Sequence, residues 1–222
     1  MLTNAAPNAA RSDPRFQKQS RTKRAKRVGL FGGSFDPVHL GHLLVARAAL
    51  EEFQLDRLFF IPAFRSPFKP DRLPAPPMVR ARLLRLALAG WTRCEIDLQE
   101  IRRGGVSYTI DTAREYRRRF PQAELYWIIG ADHVPKLPRW REAEALARLV
   151  RFISVPRPGM VSPKAPEPFQ VNPLSGFPFA VSSSAIRARV ARGEPIDLLT
   201  PPAVGEAILK MGLYRRENLS EG

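Results

Sequence analysis

The sequence predicts an α/β fold in which helices cover both faces of a single doubly wound, mostly parallel sheet. Three observations favour this class. Short apolar runs typical of strands alternate with segments of helical periodicity, which is the pattern of βαβ units. The 222 residues are enough for one domain with a sizeable core. A glycine turn joins the first predicted strand to the first predicted helix.

The predicted elements follow one another in a regular order. Strand-like runs lie at Val28–Phe31, Leu58–Pro62, Cys94–Leu98, Leu125–Ile129, Phe152–Val155 and Phe179–Val181. Helices are expected at Leu40–Phe53, Pro77–Ala89, Ile110–Phe120, Trp140–Leu149, Ser184–Ala191 and Pro202–Met211. The first helix carries an apolar face suited to packing on a sheet, formed by Leu43, Ala46, Leu50 and Phe53. Two Pro-rich stretches are expected as loops that shape a substrate site, Phe64–Pro77 and Pro156–Pro178.

Charge divides the chain into a tail and a domain. Residues 1–27 contain eight Lys or Arg and one Asp, so they carry +7 of the formal net charge of +15. With few large apolar residues, they are predicted to be a disordered basic tail, followed by a folded domain over 28–216 and a flexible C-terminus over 217–222. A single cysteine, Cys94, excludes an internal disulfide and fits a cytoplasmic location. Apolar runs stay well short of the roughly 18 residues of a membrane span, so no membrane partner is expected.

The segment Gly29–Leu43, GLFGGSFDPVHLGHL, points to phosphate chemistry. Asp36 suits a helix N-cap and Pro37 the first helical position. Gly32 and Gly33 let the backbone approach a ligand closely, since no Cβ intervenes. A helix N-terminus after such a turn offers unpaired N–H groups to a phosphate. Two of the three histidines of the chain lie here, and their imidazoles can donate to phosphoryl oxygens, His39 and His42.

Two other interpretations of the histidine pair stay open. The pair could bind a metal with His133, an acidic residue or Cys94 as a further ligand, or both rings could be purely structural. Neither the G-x-x-x-x-G-K-[ST] pattern nor G-x-G-x-x-G is present, which excludes a P-loop ATPase and an ordinary dinucleotide-binding turn.

A second anion site is predicted where the sequence reads Ser182-Ser183-Ser184-Ala185-Ile186-Arg187. Serines are good N-caps, and that alone would explain them. A helix N-terminus with Arg187 one turn further on can also grip a phosphate with two hydrogen bonds. Two anion sites on one sheet indicate a polyphosphate held between them, and hence a bound nucleotide.

The remaining candidates are less specific. Lys69 lies in the loop IPAFRSPFKP, where most lysines are simply solvated. Ser107-Tyr108-Thr109 follows a glycine pair and precedes a predicted helix, so its backbone N–H groups are expected to be exposed, as at the two anion sites. Asp132, after Gly130 at a strand end, suits a ribose or a metal as well as a helix N-cap. Trp140 suits either the core or stacking on a flat ring.

Seven motifs in order resemble those of one enzyme family. GLFGGSFDPVHLGHL and VSSSAIR resemble the paired signature of the H-x-G-H nucleotidyltransferase superfamily. IPAFRSPFKP, SYTIDT, IIGADHVPKLPRW, VPRPG and the C-terminal GLY are similar to nicotinate-nucleotide adenylyltransferases within it. The resemblance runs from about Val28 to Tyr214. It implies a Rossmann-like nucleotidyltransferase fold and the transfer of an adenylyl group from ATP to nicotinic acid mononucleotide, with Mg²⁺, giving nicotinic acid adenine dinucleotide and pyrophosphate.

The resemblance also implies roles for individual residues. His39, His42 and Arg187 would be catalytic, with His42 the more essential of the two histidines. ATP would be bound by those three residues together with Gly32, Gly33, Ser34, Phe35, Lys69, Ser183, Ser184 and Ile186. The mononucleotide would be bound by Lys69, Tyr108, Thr109, Gly130, Asp132 and Trp140. In this scheme Tyr108 and Thr109 offer backbone N–H groups to the nicotinate carboxylate, Trp140 stacks on the pyridine ring, and Asp132 lies near the metal.

The chain departs from the family pattern at three positions. Ser34 and Ser184 stand where threonine is common, and the hydroxyl is kept. Phe68 stands where a histidine usually precedes the lysine, which removes a phosphate donor from that loop.

Three rival functions give different expectations. A phosphopantetheine-specific relative would share the histidine and serine motifs but lack SYTIDT and the GAD…W segment. A nucleic-acid-binding protein would explain the charge, but the excess lies in the tail and no recognised motif is present, so no specific nucleic acid is expected. A catalytically dead nucleotide sensor would need a broken histidine pair. The sequence leaves open the oligomeric state, with a homo-oligomer among the options, and the choice between nicotinate and nicotinamide mononucleotide.

Overall fold

A computed structural model describes residues 26–68, 74–157, 159, 163–176 and 180–215. Within them the chain forms six strands: β1 (Arg27–Gly33), β2 (Arg57–Pro62), β3 (Cys94–Ile96), β4 (Glu124–Gly130), β5 (Arg151–Val155) and β6 (Val171–Pro173). The helices are α1 (Leu40–Glu52), α2 (Pro77–Ala87), α3 (Gln99–Arg103), α4 (Thr109–Arg119), α5 (Ala143–Leu149), α6 (Ser183–Ala191) and α7 (Pro202–Lys210). A 3₁₀ segment covers Ala131–Arg139.

All six strands lie in one sheet in the order β3-β2-β1-β4-β5-β6, and every neighbouring pair is parallel. The first strand of the chain is therefore central, and the order reverses between β1 and β4. This confirms the predicted parallel α/β sheet of the Rossmann-like type.

Helices cover both faces of the sheet, as the alternation of apolar side chains requires. In β2, Leu58 and Phe60 face the helices α1, α2, α6 and α7, whereas Phe59 and Ile61 face α4 and α5. Parallel strands buried on both faces need continuous apolar runs, and β2 and β4 have them. No helix among the described residues is long and apolar enough to cross a membrane.

The start of α1 differs from the prediction. The N-cap is His39, so the prediction of Asp36 as N-cap and Pro37 as first helical residue is wrong. Asp36 is instead buried and accepts hydrogen bonds from the Tyr214 hydroxyl and the Ala75 N–H. A tertiary contact with a residue 178 positions away cannot be inferred from a local capping pattern.

The last strand also differs. Ala180 and Val181 belong to no strand, so that part of the predicted strand Phe179–Val181 is wrong, and Phe179 lies outside the described residues. The sixth strand is β6, inside the stretch predicted as a loop over Pro156–Pro178. The helix predicted from Trp140 begins only at Ala143, after the 3₁₀ segment. Strand β1 begins at Arg27, inside the segment assigned to the tail, because the Lys26 and Arg27 N–H groups donate to Asp56 Oδ2.

Candidate active site

A cavity of about 660 Å³ opens at the carboxyl ends of β1, β4 and β5. Phe31–Gly33, Gly130 and Val155 form its base, and the starts of α1, α4 and α6 point into it. Ligands of open α/β sheets bind where the strand order reverses, and here that is between β1 and β4. A groove of about 720 Å³ beside β3 is lined by five arginines but contains none of the predicted site residues. The first cavity is therefore the candidate site.

Most predicted site residues lie together in this cavity. Its lining includes Gly32, Gly33, Ser34, Phe35, His39, His42, Thr109, Gly130, Trp140, Ser183, Ser184 and Arg187. Tyr108, Asp132 and Ile186 are not part of the lining, and Ile186 is fully buried in the core. Lys69 lies outside the described residues. Residues separated by up to 155 positions in sequence thus meet around one space.

The glycines of the turn make room for aromatic rings of the chain itself. A Cβ on Gly32 would lie 2.8 Å from the Trp127 ring, and one on Gly33 would lie 3.1 Å from the Phe35 ring. Phe35 has a φ of 46°, an unfavourable value for a bulky residue, and its ring is held by Phe31, Phe60 and His42. The turn is therefore tightly packed against aromatic rings of the chain, and it lies in the cavity lining.

The two histidines form a stacked pair at the start of α1. Their ring centroids are 3.7 Å apart. The His39 backbone N–H donates to His42 Nδ1 at 3.2 Å, so a neutral His42 carries its proton on Nε2. Burial, followed by the charge of Arg157, lowers the pKa of His39 to about 4. Burial, and then the charges of His39 and Arg157, also lower the pKa of His42 well below its usual value. Both rings are neutral at pH 7 in the free protein, and His42 offers an Nε2–H donor.

Arg157 is a cavity residue that the sequence analysis did not single out. Its Nε donates to Asp132 Oδ1 at 3.1 Å. Burial alone would raise the pKa of Asp132, but the hydrogen bond from Arg157 and the positive charges of His133 and Arg157 together outweigh burial and lower the pKa. Asp132 thus stays anionic beside the cavity. The only sequence signal for Arg157 was its place in VPRPG, directly after a strand.

The start of α6 lies directly against the loop that precedes α1. The Ser183 hydroxyl donates to the Pro37 carbonyl at 2.9 Å, and Arg187 Nη1 donates to the Asp36 carbonyl at 2.6 Å. Arg187 Nη2 also donates to Ser184 Oγ at 3.0 Å. Ser182 is the N-cap, because its Oγ accepts from the Ala185 N–H. The two predicted anion sites therefore form one continuous corner with two helix N-termini.

The start of α4 forms another wall. Thr109 lines the cavity, and Tyr108, the N-cap residue, lies under the guanidinium of Arg141 at 4.6 Å. Glu100 lies behind them, 3% exposed, and accepts a 2.6 Å hydrogen bond from the Thr112 hydroxyl. Burial raises the pKa of Glu100. This carboxyl links α3 to α4, the helix that begins with Thr109, and the sequence gives no signal for it because α3 is short and polar.

Three aromatic rings meet in the cavity lining, those of Phe68, His133 and Trp140. Phe68 lies 5.5 Å from Trp140 and 5.3 Å from His133, centroid to centroid. The Trp140 Nε1 is buried and has no hydrogen-bond partner among the described residues. A buried indole N–H normally has a partner, so a ligand oxygen is expected near it.

The alternative of a histidine-bound metal finds no support in the geometry. No group of three or more His, Cys, Asp or Glu side chains that could hold a metal occurs in the part of the chain that the structure describes. Cys94 is buried in the edge strand β3, and burial raises the pKa of its thiol to about 11. The stacked histidines instead lie beside N–H and guanidinium donors, a set suited to an anion.

Comparisons with known proteins agree with this geometry. The sequence profile of the family "Cytidylyltransferase-like" matches residues 30–189. The chain is 43% identical over 191 residues to the "Probable nicotinate-nucleotide adenylyltransferase" of Opitutus terrae, a match that covers 85% of this chain and 98% of that protein. A protein of the same name from Thermus thermophilus is 44% identical over 189 residues, with 85% and 100% coverage.

A solved structure shows the same fold. It is that of Plasmodium falciparum nicotinic acid mononucleotide adenylyltransferase complexed with NaAD, with a TM-score of 0.69 and 20% sequence identity. The match covers 85% of this chain and 97% of that one.

Proposed function

Since the chain belongs to the cytidylyltransferase-like family and, within it, to the nicotinate-nucleotide adenylyltransferases of NAD biosynthesis, we propose that its cavity joins ATP to nicotinic acid mononucleotide. The products are nicotinic acid adenine dinucleotide and pyrophosphate. The observation that carries the assignment to this cavity is the corner formed by the starts of α1 and α6, where His42 and Arg187 lie against two helix N-termini.

The chemistry needs no covalent enzyme intermediate. The phosphate of the mononucleotide is an anion that can attack the α-phosphorus of ATP in line, with pyrophosphate as the leaving group. The two substrates repel each other, so the protein must hold them together and stabilise charge on the equatorial and leaving oxygens. Cationic and N–H donors have to be concentrated in the cavity for this purpose.

The corner between α1 and α6 suits the ATP phosphates. His42 Nε2–H, the hydroxyl of Ser184 and the guanidinium of Arg187 are the side-chain donors there, and Ser183, whose hydroxyl donates to Pro37, adds to the lining at the start of α6. His39 stacks on His42 and fixes its ring through the backbone N–H. Arg157 adds a second guanidinium close enough to lower the pKa of both histidines.

The part of the cavity formed by the start of α4 and by Trp140 suits the mononucleotide. The backbone N–H groups at Tyr108 and Thr109, at the start of α4, would receive the nicotinate carboxylate. Trp140 would stack on the pyridine ring, and Gly130 and Asp132 would lie near the ribose. A wall of N–H groups favours a carboxylate over a neutral amide, so we expect a preference for nicotinate mononucleotide.

Enzymes of this family generally use a divalent metal with ATP. Asp132 is the anionic carboxylate beside the cavity, and it offers one ligand for a Mg²⁺ that also binds substrate phosphates, as Mg²⁺ commonly does. When bound, the ion would neutralise negative charge on the phosphates. We also propose that the enzyme works in the cytoplasm. Light scattering on the full chain would decide whether it forms a homo-oligomer, one of the options that the sequence leaves open.

The decisive experiment is a pyrophosphate-release assay with the full chain, Mg²⁺ and ATP. Nicotinate mononucleotide, nicotinamide mononucleotide and phosphopantetheine are supplied in separate reactions. We expect the highest kcat/KM with nicotinate mononucleotide. Faster turnover with phosphopantetheine than with both mononucleotides would contradict the proposed substrate, although it would leave the nucleotidyltransferase reaction in place.

A further inference from the structure

A buried arginine supports the loop that precedes α1, next to the corner between α1 and α6. Arg80 is fully buried, and its guanidinium donates to three carbonyl oxygens: Ser34 at 2.7 Å, Ala75 at 2.8 Å and Phe64 at 3.4 Å. Burial lowers the pKa of Arg80, and the charge of Asp36 opposes that shift. Arg80 thereby links the glycine turn to both ends of the loop between β2 and α2, at Phe64 and at Ala75.

Asp36 is the anion beside this cation, and it is 2% exposed. Its Oδ1 accepts a 2.8 Å hydrogen bond from the Tyr214 hydroxyl and a 3.2 Å bond from the Ala75 N–H. Its Oδ2 lies 3.9 Å from Nη1 of Arg187, the same nitrogen that donates to the Asp36 carbonyl oxygen. One residue therefore contacts Arg187 through both its backbone and its side chain.

We propose that Asp36 is a positioning residue, which sets the orientation of Arg187 toward the ATP phosphates while Tyr214 holds Asp36 from the C-terminal end of the chain. The proposal rests on the proposed function only in taking ATP as the ligand of this corner. A free arginine side chain has many rotamers, and fixing them in advance lowers the cost of ordering it when ATP binds.

The direction of the effect follows from charge and geometry. The side chain of Arg187 is 17% exposed, so its attraction to Asp36 is only partly screened by solvent. Without the carboxylate, the guanidinium keeps the Asp36 carbonyl and Ser184 Oγ as acceptors but loses the negative charge 3.9 Å from Nη1, whose attraction restrains the side chain in this orientation. Affinity for ATP should fall, whereas the mononucleotide end of the cavity should be unaffected.

The test is a double-mutant cycle between Asp36→Asn and Arg187→Ala. Asparagine keeps an oxygen for Tyr214 and Ala75 but removes the charge. The dissociation constant of a non-hydrolysable ATP analogue and the KM of the mononucleotide are measured for the four proteins. We expect Asp36→Asn alone to weaken analogue binding about tenfold, to leave the mononucleotide KM within about twofold, and to have no further effect in the Arg187→Ala protein.

Tyrosine variants extend the test and supply its control. Tyr214→Phe removes the donor to Asp36 and should weaken analogue binding in the same direction by a smaller factor. Tyr126→Phe is the matched control, because the Tyr126 hydroxyl donates to Glu124 and is not among the cavity-lining residues. It should leave analogue binding unchanged. If Asp36→Asn does not fold, the cycle is run with Tyr214→Phe against Arg187→Ala under the same criteria.

Equal losses of analogue binding with and without Arg187, or equal losses for both substrates, would show that Asp36 has only a structural role. A wild-type protein that binds the analogue but releases no pyrophosphate with nicotinate mononucleotide would contradict the proposed function. The binding cycle would still decide the role of Asp36 in that case.

Discussion

His42 is held in its productive state by its own helix. The His39 N–H occupies Nδ1, so Nε2 carries the proton and can donate to a phosphoryl oxygen without the ring becoming charged. The geometry therefore makes His42 a fixed hydrogen-bond donor.

Replacing His42 with alanine should lower kcat by at least about 100-fold, the scale of losing one donor to a developing oxyanion. Urea unfolding should change little by comparison. His42→Gln, which keeps an N–H donor, should recover part of the lost rate. Near-normal turnover of the alanine variant in the pyrophosphate assay would show that His42 has no such role.

The lowered pKa of His39 predicts a pH-dependent stability. Between pH 6.5 and about 4 the unfolded chain binds a proton at this position that the folded chain does not. The free energy of unfolding should therefore fall as the pH falls through this window. Between pH 7 and pH 4.5, the free energy of unfolding of His39→Gln should fall by about 2 kcal/mol less than that of the wild type. Urea titrations at both pH values measure this, and parallel losses in the two proteins would contradict it.

The Phe68 ring packs against the Trp140 ring, with 5.5 Å between the ring centroids. Phe68 itself is 48% exposed. A substrate ring that stacks on Trp140 competes with it. Phe68→Ala should therefore lower the KM for the mononucleotide about three- to tenfold, in line with the strength of an aromatic pair. Leu198→Ala, at an 83% exposed position outside the cavity lining, is the control. A raised KM would mean that Phe68 holds the substrate instead.

At the scale of elements, α6 presents Ser183, Ser184 and Arg187 near its N-terminus. The positions of these three side chains in the corner between α1 and α6 therefore depend on the stability of the first turn of α6. Its N-cap hydrogen bond, from the Ala185 N–H to Ser182 Oγ, is 3.1 Å long. The sequence predicted this capped start correctly because a serine run before an apolar helix is a local signal.

Removing that cap should cost about 1 kcal/mol in the free energy of unfolding for Ser182→Ala and only a few tenths for Ser182→Gly. Ser175→Ala is a suitable control, because Ser175 donates to Glu52 Oε2 through its backbone N–H, which the substitution keeps. Urea unfolding at pH 7 compares the three variants. An alanine variant as stable as the wild type would show that the cap does not support α6.

Elements with strong local patterns were predictable, and elements set by distant contacts were not. Strands β1, β2, β4 and β5 are continuous apolar runs, and each was predicted within about two residues of its observed ends. Strand β6 was missed because Val171-Asn172-Pro173 has little strand character and is ordered by pairing with β5. The same reason applies to Arg157 and Glu100, whose approach to the cavity depends on packing between distant segments.

At the scale of the whole molecule, the described fold begins at Lys26, whose N–H donates to Asp56 Oδ2 at 2.7 Å. Residues 1–25 contribute six Lys or Arg against one Asp and lie outside the described residues. Among the described residues, those that line the cavity lie between Phe31 and Arg187. The sequence therefore predicts that this tail is dispensable for catalysis.

Deletion of residues 2–25 should leave kcat and both KM values within about twofold of wild type. Non-specific binding to a random DNA duplex should weaken and become less dependent on salt, because fewer phosphate contacts release counterions. Fluorescence anisotropy at two salt concentrations measures the second effect. A loss of turnover on deletion would assign the tail a catalytic role.

The central position of β1 determines when the site can form. Of the described strands, this one leaves the ribosome first, yet one of its edges is covered only when β4, which starts at Glu124, has been synthesised. Until then a nascent chain exposes an unpaired, apolar strand edge. Nucleotide binding is consequently a late event in folding, since the corner that grips the phosphates is complete only after α6 has been translated.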